Sequence, residues 1–386
     1  MKYKNACITL LTASLVLTGC KTLSPFSDDT PKHKKPAKLT EITPAMVVRT
    51  AWSTRLGGGS QGEYLRLRPA SADNTIYTVD AVGQVVASDA KTGKRLWVKR
   101  VWAPVTSGPS VSGKLVFLGT SDARLMALNS QSGDIVWEAP MSNEVLAAPV
   151  ASGDKVYVKS IDGMLTALHR DTGKRVWHYK HESPKLILRA SSSPNVADNI
   201  VVVGFADGKL DALNASTGSL IWQRSIATNN GTDDVSRMVD IDTQPLISDG
   251  IIYVASYQGN VAALSLMSGQ MLWRRKLSTY SNLALEDNKL FATDVDGNVY
   301  ALSADSGRTL WKQEKLRNRG LTAPVVMGRA LVVGDKEGYV HWLSLLDGHF
   351  LNRKRIDKSG ILAAPRVAGN RLYVGAGGGR LTALMS

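Results

Sequence analysis

The chain has 386 residues, of which 44% are hydrophobic and 21% are charged, a composition typical of a folded globular protein rather than a disordered one. Tryptophan is unusually common, with nine residues against five phenylalanines. The formal net charge of +14 would favour nucleic acid as a partner if the protein were cytoplasmic.

The first residues have the pattern of a secretory signal that is removed during export. Two lysines precede the apolar stretch Ala6–Val16, and the sequence Leu17-Thr18-Gly19-Cys20 follows at once. This resembles the bacterial lipobox, so we expect a signal peptide over residues 1–19 and lipidation of Cys20. The apolar stretch is too short to cross a bilayer comfortably. Because Cys7 would leave with the signal, no disulfide could form within the mature chain.

Residues 20–44 contain four prolines and a lysine-rich cluster, and we expect them to form an extended or disordered tether. Lys21 follows the cysteine in place of the aspartate that retains enteric lipoproteins in the inner membrane, which predicts sorting to the outer membrane. Behind such a signal, acidic proteins or anionic lipids are more accessible partners than nucleic acid. The positive charge would otherwise serve only to keep the protein soluble.

Beyond the tether, one motif returns along the chain: a glycine-bearing turn, an apolar strand, a second turn ending in glycine and then, usually, tryptophan. The first copy reads VGQVVASDAKTGKRLW at Val82–Trp97, and the third reads DGMLTALHRDTGKRVW at Asp162–Trp177. The glycines of the second turn lie 40, 40, 45, 51, 38 and 41 residues apart and are Gly93, Gly133, Gly173, Gly218, Gly269, Gly307 and Gly348. Such a period indicates a repeat architecture whose units pack on their neighbours.

Each interval leaves room for four short strands and their turns. Asp-Gly and Ser/Thr-Gly pairs supply the positive φ angles that tight hairpin turns need. A small alanine in the middle of most repeats would let adjacent sheets approach, and the tryptophan of the following strand would fill the gap between them. No long segment has a sustained helical period. The sequence therefore predicts an all-β chain that forms a β-propeller of four-stranded antiparallel blades.

The number of blades follows from the two ends of the domain. The last copy stops after Leu381–Leu384 without a tryptophan strand, whereas Met46–Trp52 has the character of that strand and has no repeat before it. Pairing the two segments would complete an eighth blade and remove open sheet edges. We therefore predict an eight-bladed propeller over residues 45–386. Asn352 replaces tryptophan in the seventh copy, which predicts weaker packing between blades there.

Three segments suggest chemistry but have simpler explanations. His178–Glu182 offers two imidazoles and a carboxylate, yet its spacing fits no standard zinc site, and we expect surface residues. Asp294–Asn298 resembles the start of a calcium loop but coincides with the hairpin turn of the repeat. Gly57–Gly62 lacks the helix that follows a phosphate loop, because Glu63–Arg68 has the pattern of a strand. We therefore expect no catalytic residues, no metal and no cofactor.

The repeat consensus, Asp-Gly-x-Leu-x-Ala-Leu followed by Thr-Gly-x-x-x-Trp, resembles the repeats of quinoprotein dehydrogenases, which are eight-bladed propellers that bind pyrroloquinoline quinone. A lipobox, a Pro/Lys tether and a bare propeller are more similar to the BamB family of outer-membrane lipoproteins. This resemblance covers residues 45–386. It implies a non-enzymatic scaffold of the BAM complex that faces the periplasm, binds the POTRA region of BamA and assists the insertion of outer-membrane proteins.

Two segments that carry the resemblance lie in the longest intervals between repeats. Ser183–Arg189 looks like the Leu-x-Leu-Arg loop of the family, and Asp234–Pro245 looks like its Asp-Val-Asp-Thr-x-Pro stretch. A third segment, Gly338–Trp342, resembles Glu-Gly-Tyr-Leu-His-Trp. Because extra length in adjacent blades maps to neighbouring loops, we expect the first two segments to share one face of the ring.

By this resemblance, Leu186, Leu188 and Arg189 would contact BamA. The leucines would form an apolar anchor on one side of an extended strand, and Arg189 would make directional hydrogen bonds. Asp240 and Asp242 would lie beside them and either hold Arg189 or meet a cation of the partner. Alternating leucines are also ordinary strand chemistry, in which case both would face the core and the aspartates would be solvated.

Two other functions stay open at this stage. A quinone-dependent dehydrogenase would share the repeat, although such enzymes carry an adjacent-cysteine disulfide and acidic calcium ligands that this sequence does not suggest. A propeller that binds cell-wall polysaccharide is the other alternative. Within the scaffold interpretation, blade edges could also pair with extended segments of unfolded outer-membrane proteins.

Overall fold

Each repeat of the sequence folds into one sheet of four antiparallel strands, and eight such sheets form a ring. The computed structural model describes residues 35–60, 65–182, 184, 192–227 and 238–386. The predicted signal peptide and Cys20 therefore lie outside the described residues. The eight-bladed β-propeller expected from the repeat is confirmed.

The strands are numbered along the chain, and the blades are numbered in the order of their innermost strands. The first strand, β1 (Arg49–Arg55), belongs to the last blade. Blade I contains β2 (Ala70–Ala72), β3 (Thr75–Val79), β4 (Gln84–Asp89) and β5 (Arg95–Arg100). Blade II contains β6 (Val105–Ser112), β7 (Leu115–Thr120), β8 (Arg124–Asn129) and β9 (Ile135–Pro140). Blade III contains β10 (Val150–Ser152), β11 (Lys155–Lys159), β12 (Met164–His169) and β13 (Arg175–Lys180).

Blade IV contains β14 (Asn195–Ala197), β15 (Ile200–Gly204), β16 (Lys209–Asn214) and β17 (Leu220–Ser225). Blade V contains β18 (Leu246–Ser248), β19 (Ile251–Ala255), β20 (Asn260–Ser265) and β21 (Met271–Lys276). Blade VI contains β22 (Ala284–Glu286), β23 (Lys289–Thr293), β24 (Val299–Ser303) and β25 (Thr309–Gln313). Blade VII contains β26 (Val325–Met327), β27 (Ala330–Gly334), β28 (Tyr339–Ser344) and β29 (Phe350–Arg355).

Blade VIII joins the two ends of the domain. It contains β30 (Arg366–Ala368), β31 (Arg371–Gly375), β32 (Arg380–Met385) and, as its outermost strand, β1. β1 pairs antiparallel with β32, so that Trp52 lies opposite Ala383 and the Ser53 and Thr382 hydroxyls are 2.8 Å apart. The closure predicted from the unpaired last repeat is thus present, and it leaves no blade with a missing strand.

Adjacent blades are held together by a tryptophan on one blade and a turn glycine on the next. The indole of Trp97 on blade I covers Gly133 of blade II so closely that a Cβ on this glycine would lie 2.7 Å from the ring. The indole Nε1 also donates a hydrogen bond of 2.9 Å to the carbonyl of Ser130 in the same turn. The same pair of contacts occurs for Trp52, Trp97, Trp137, Trp177, Trp222, Trp273 and Trp311.

Within its own blade, each of these tryptophans lies opposite an alanine of the neighbouring strand. Ala167 pairs with Trp177 in blade III, and the same Ala–Trp register recurs in every blade except VII. The alanine side chain is small, and the indole opposite it reaches the turn glycine of the next blade. The predicted roles of the small residue and the tryptophan are both confirmed.

In blade VII the large and the small residue of this pair occupy each other's positions. Trp342 occupies the alanine position and is fully buried, and it lies opposite Asn352 in the tryptophan position. The next blade, VIII, has no turn between its third and fourth strands, because β32 and β1 come from opposite ends of the described chain. A tryptophan at position 352 would therefore have no turn glycine to cover. The carboxamide of Asn352 instead donates a 2.7 Å hydrogen bond to the carbonyl of Met46. The weaker packing between blades that was expected at Asn352 gives way to the buried Trp342 and this hydrogen bond.

The described end of the predicted tether lies against blades VI and VII. The guanidinium of Arg319 donates to the carbonyl of Ala37 at 2.9 Å, and that of Arg353 donates to the carbonyl of Thr40 at 2.8 Å. Leu39 packs against the apolar core between these blades. Residues 36–44 are therefore bound to the propeller, whereas the sequence predicted an extended or disordered segment up to residue 44.

The segment that enters blade I differs from its prediction. Residues 65–69 form no strand, and β2 begins only at Ala70, whereas the sequence predicted a strand over Glu63–Arg68. A Cβ on Gly59 would meet the backbone of the last turn of blade VIII, and one on Gly57 would meet the Asp80 carboxylate, which explains these glycines without a phosphate ligand. In the described part of the chain, no helix has the length and apolar character needed to span a bilayer.

The tryptophan–glycine contact predicts different costs for two glycines of blade III. Gly153 and Gly173 have φ angles of 59° and 68°, so alanine at either position is strained by about 1–2 kcal/mol. A Cβ at position 153 meets nothing within 4 Å, but at position 173 it would lie 2.6 Å from the Trp137 ring. We expect Gly173→Ala to cost roughly 1–3 kcal/mol more than Gly153→Ala. Equal thermal midpoints for the two variants in calorimetry would contradict this role of the contact.

Candidate partner-binding site

Two long connections between blades begin side by side on one face of the ring. The connection from blade III to blade IV and that from blade IV to blade V begin at the ends of outermost strands, as do the other connections of this face. Their bases are joined by hydrogen bonds: Ser192 Oγ donates to the carbonyl of Thr243 at 2.8 Å, and Gln244 Nε2 donates to that of Pro194 at 3.1 Å. The described ends of both segments are therefore neighbours, as expected.

The proposed partner-binding residues divide into two groups. Leu186, Leu188 and Arg189 lie outside the described residues. Asp240 and Asp242 are described, and both are buried at the base of the second connection, with 2% and 5% of their surface exposed. Burial raises the pKa of Asp242 to about 6, although the positive charges of Arg66 and Lys159 oppose the rise. In this arrangement, neither aspartate offers its carboxylate to a partner at the surface.

A buried lysine faces these aspartates. Lys159 ends β11, and its Nζ donates a 2.5 Å hydrogen bond to the carbonyl of Gly204 on blade IV. The ammonium also lies 5.1 Å from the centre of the Phe205 ring. Burial lowers the pKa of Lys159 to about 8, and the nearby carboxylates, Asp242 and Asp240 foremost, limit the decrease. The lysine therefore joins blade III to blade IV beneath both connections.

A second ionic group lies beside this lysine and was missed by the sequence analysis. His181, predicted as a surface residue, is buried and stacks on the Phe205 ring at 3.9 Å between centres. Its Nδ1 lies 2.7 Å from a carboxylate oxygen of Asp211, and its Nε2 lies 3.1 Å from one of Asp207. Burial alone would lower the pKa of His181, but hydrogen bonds to the two carboxylates raise it to about 9. The imidazole is therefore a buried cation at neutral pH.

The surface-residue prediction holds for the neighbours of this histidine, since His178 and Glu182 are exposed. His181 differs because the chain turns inward after β13, and its backbone N–H donates to the carbonyl of Gly163 at 3.1 Å. Over the described residues, no group of three or more His, Cys, Asp or Glu side chains is placed to hold a metal ion. Asp294–Asn298 forms the predicted hairpin turn, in which Asn298 Nδ2 donates to the Asp294 carboxylate at 2.7 Å.

An arginine from the far side of the ring completes this group of charges. Arg66 precedes blade I, yet its Nη1 donates a 2.7 Å hydrogen bond to the carbonyl of Tyr280, in the connection between blades V and VI. Its guanidinium lies 5.1 Å from the centre of the Tyr280 ring. Blades I and V stand opposite each other in a ring of eight, so this hydrogen bond joins segments from opposite sides of the ring. The charge of Arg66 also acts on Asp242.

These contacts give the face a defined chemistry. Four carboxylates, a lysine and an imidazolium are buried or half-buried at the bases of two long connections, with the exposed Arg66 beside them, and their charges largely compensate one another. Such a network holds the described bases of the two connections in one geometry.

The four-stranded blades and the Trp–Gly repeat define an eight-bladed propeller of the quinoprotein-like repeat class. A family model described as outer membrane protein assembly factor BamB matches residues 49–138, 100–313 and 295–386. BamB of Legionella pneumophila is 44% identical over 98% of both chains, that of Pseudomonas aeruginosa is 42% identical over 99% of both, and that of Escherichia coli is 34% identical over 97% of both. The chain belongs to the BamB family of outer-membrane protein assembly factors.

Solved structures agree with this assignment. The crystal structure of BamB from Moraxella catarrhalis superimposes with a TM-score of 0.81 at 28% identity, covering 88% of this chain and all (100%) of the other. Quinohemoprotein alcohol dehydrogenase from Comamonas testosteroni superimposes with a TM-score of 0.71 at 14% identity, covering 88% of this chain and 76% of the other. The second similarity is evidence for the fold alone.

The raised pKa of His181 predicts a pH-dependent stability. Because the folded value of about 9 exceeds the usual value of about 6.5, the stabilisation is complete below pH 6.5 and is lost as the pH rises to 9. Glutamine at position 181 cannot titrate. The difference in free energy of unfolding between the natural chain and His181→Gln should therefore shrink by roughly 1–3 kcal/mol as the pH rises through this range. Urea unfolding at several pH values measures the difference. His169→Gln, which changes an exposed histidine of the same blade, serves as the control.

Proposed function

We propose that the chain is a lipid-anchored scaffold of the machinery that assembles β-barrel proteins in the outer membrane, and that it binds the POTRA region of BamA. The observation that carries this proposal is similarity to BamB proteins over nearly the whole chain, at 34–44% identity. The two long connections whose described ends are adjacent would supply the surface for the contact. The proposed activity is binding, and it requires no catalytic group or cofactor.

In this proposal, Leu186, Leu188 and Arg189 contact BamA directly. They belong to the connection whose described ends are fixed by Ser192 and by the buried His181. Asp240 and Asp242 contribute from below, since they are buried beside Lys159 and support the geometry of the second connection. A buried carboxylate that faces a buried lysine acts through the position of the backbone rather than through contact with the partner.

The proposed attachment to the membrane uses Cys20, at the start of the tether. The propeller would face the periplasm, where unfolded outer-membrane proteins would be its clients. The contacts of Arg319 and Arg353 with residues 37 and 40 support a fixed point at which the tether leaves the propeller, at blades VI and VII. This arrangement would limit the orientations in which the anchored propeller meets BamA.

The central test is Arg189→Glu, measured as co-purification of BamA with the tagged full-length protein from membranes. Reversal of the charge should reduce recovery by about tenfold or more, which is typical when a central arginine of an interface is lost. Arg329→Glu makes the same change at an exposed turn on the opposite face and should leave recovery unchanged. Undiminished recovery with Arg189→Glu, or saturable quinone binding with turnover by the natural chain, would contradict the proposal.

The proposed anchor predicts the outcome of Cys20→Ser. Without the thiol there is no site for acylation, so the protein should move from the membrane pellet to the soluble periplasmic or inner-membrane precursor fraction. Fractionation with immunoblotting measures the distribution. Purified Cys20→Ser protein should still bind isolated POTRA domains, because the propeller is unchanged. Retention in the outer membrane at the natural level would show that the lipid is not the anchor.

A further inference from the structure

The outermost strand of blade I differs from those of the other blades. Val98 directly follows the conserved position of the tryptophan in the repeat and is 48% exposed. Each of the other blades has a polar or charged residue at this position: Glu138, His178, Gln223, Arg274, Lys312, Arg353 and Ser53. The departure is therefore confined to one blade and does not follow from the requirements of the fold.

Val98 belongs to a row of exposed side chains at alternate positions of the chain. Leu96 is 54% exposed, Arg100 is exposed, and Trp102 just beyond the strand is 79% exposed. Alternate residues of a strand share one face, so Val98 and Arg100 of β5 project to the same side, and Leu96 is exposed at the register shift that precedes them. Val98 lies opposite Val86, which packs against blade VIII. The row is thus the outer continuation of the boundary between blades VIII and I.

Trp102 is held in an unusual backbone conformation. Its φ of 50° lies in the left-handed region, which is costly for a bulky residue and is otherwise used here mainly by Asn, Asp and Gly. The guanidinium of Arg100 lies 4.7 Å from the centre of its ring, which fixes the indole beside the row. A strained and exposed aromatic side chain of this kind marks a contact site more often than a structural one.

The charge around this row has one sign. The stretch 91–102 contains Lys91, Lys94, Arg95, Lys99 and Arg100 and no acidic residue. Lys99 pairs with Asp134 of blade II, whereas no carboxylate of the described residues pairs with Arg100 or Lys94. The surface therefore combines an apolar row with uncompensated positive charge. It is complementary to a ligand that carries apolar groups at a spacing of two residues together with carboxylates.

The strand itself offers the means of attachment. β5 is the edge of its sheet and, in the described structure, pairs only with β4. We propose that β5 and Trp102 form a docking site for an extended acidic peptide segment, which adds to the edge of blade I as a further strand. Apolar side chains at alternate positions of the segment would cover Leu96 and Val98 and reach Trp102. Its carboxylates would meet Arg100 and Lys94. This surface belongs to blade I, whereas the proposed BamA contact involves blades III to V.

The probe is a fluorescein-labelled peptide of about ten residues in which valine and phenylalanine alternate with serine and aspartate. Its binding to the full-length propeller is measured by fluorescence anisotropy. Trp102→Ala and Val98→Glu should each weaken binding by about tenfold or more. Leu310→Glu makes the same kind of change on the outermost strand of blade VI, where Leu310 is 44% exposed, and should change binding less than about twofold.

Two further peptides test the charge complementarity and the strand addition separately. A peptide with lysine in place of aspartate should lose binding, and so should one with proline at every third position, because proline cannot add to a strand edge. Equal binding of the three peptides, or equal loss with Leu310→Glu, would overturn the proposal. The proposal would also be overturned if binding to phosphatidylglycerol vesicles required Trp102 and binding of the peptide did not. BamA should co-purify with Trp102→Ala as it does with the natural chain. Loss of peptide binding without loss of BamA would then separate this proposal from the proposed function.

Discussion

The contact between a tryptophan and the turn glycine of the next blade is the constraint on which the rest of the structure depends. The indole covers a position where even a methyl group would clash, and its Nε1 donates to a carbonyl of the same turn at 2.7–3.1 Å. Apolar contact and a satisfied buried donor therefore act on the same turn. Because every such contact joins neighbours only, the ring is a sum of local interfaces, and its geometry repeats as the sequence does.

The boundary between blades VII and VIII shows how the ring accommodates its own ends. Blade VIII takes its outermost strand from the start of the domain, so it lacks the turn that a tryptophan would cover. The bulky side chain therefore moves one strand inward, to Trp342, and Asn352 binds the backbone of Met46 instead. Met46 and Val48 pack against the same core as Trp342. The departure from the repeat at residue 352 is thus a consequence of closure.

The parts that could be predicted from the sequence are those that repeat. Period, turn glycines and the Ala–Trp pair determine the blades, because each depends on residues within about forty positions along the chain. The buried position of His181 and the path of Arg66 could not be predicted, because they depend on contacts with other blades, in one case 214 residues away. The same holds for residues 36–44, whose composition indicates disorder until Arg319 and Arg353 are placed beside them.

The buried charges beneath the long connections are better explained by geometry than by stability. Removing Lys159, His181 and Asp242 from water costs free energy that ion pairing repays only in part, and the raised pKa of Asp242 reflects that cost. Apolar residues would pack the same volume more favourably, yet they would leave the loop bases without directional contacts. Hydrogen bonds from Lys159 to Gly204 and between His181 and two carboxylates give blades III and IV one relative position. In the proposed function, that loss of freedom favours binding, because less ordering of the loop bases remains to be done when a partner docks.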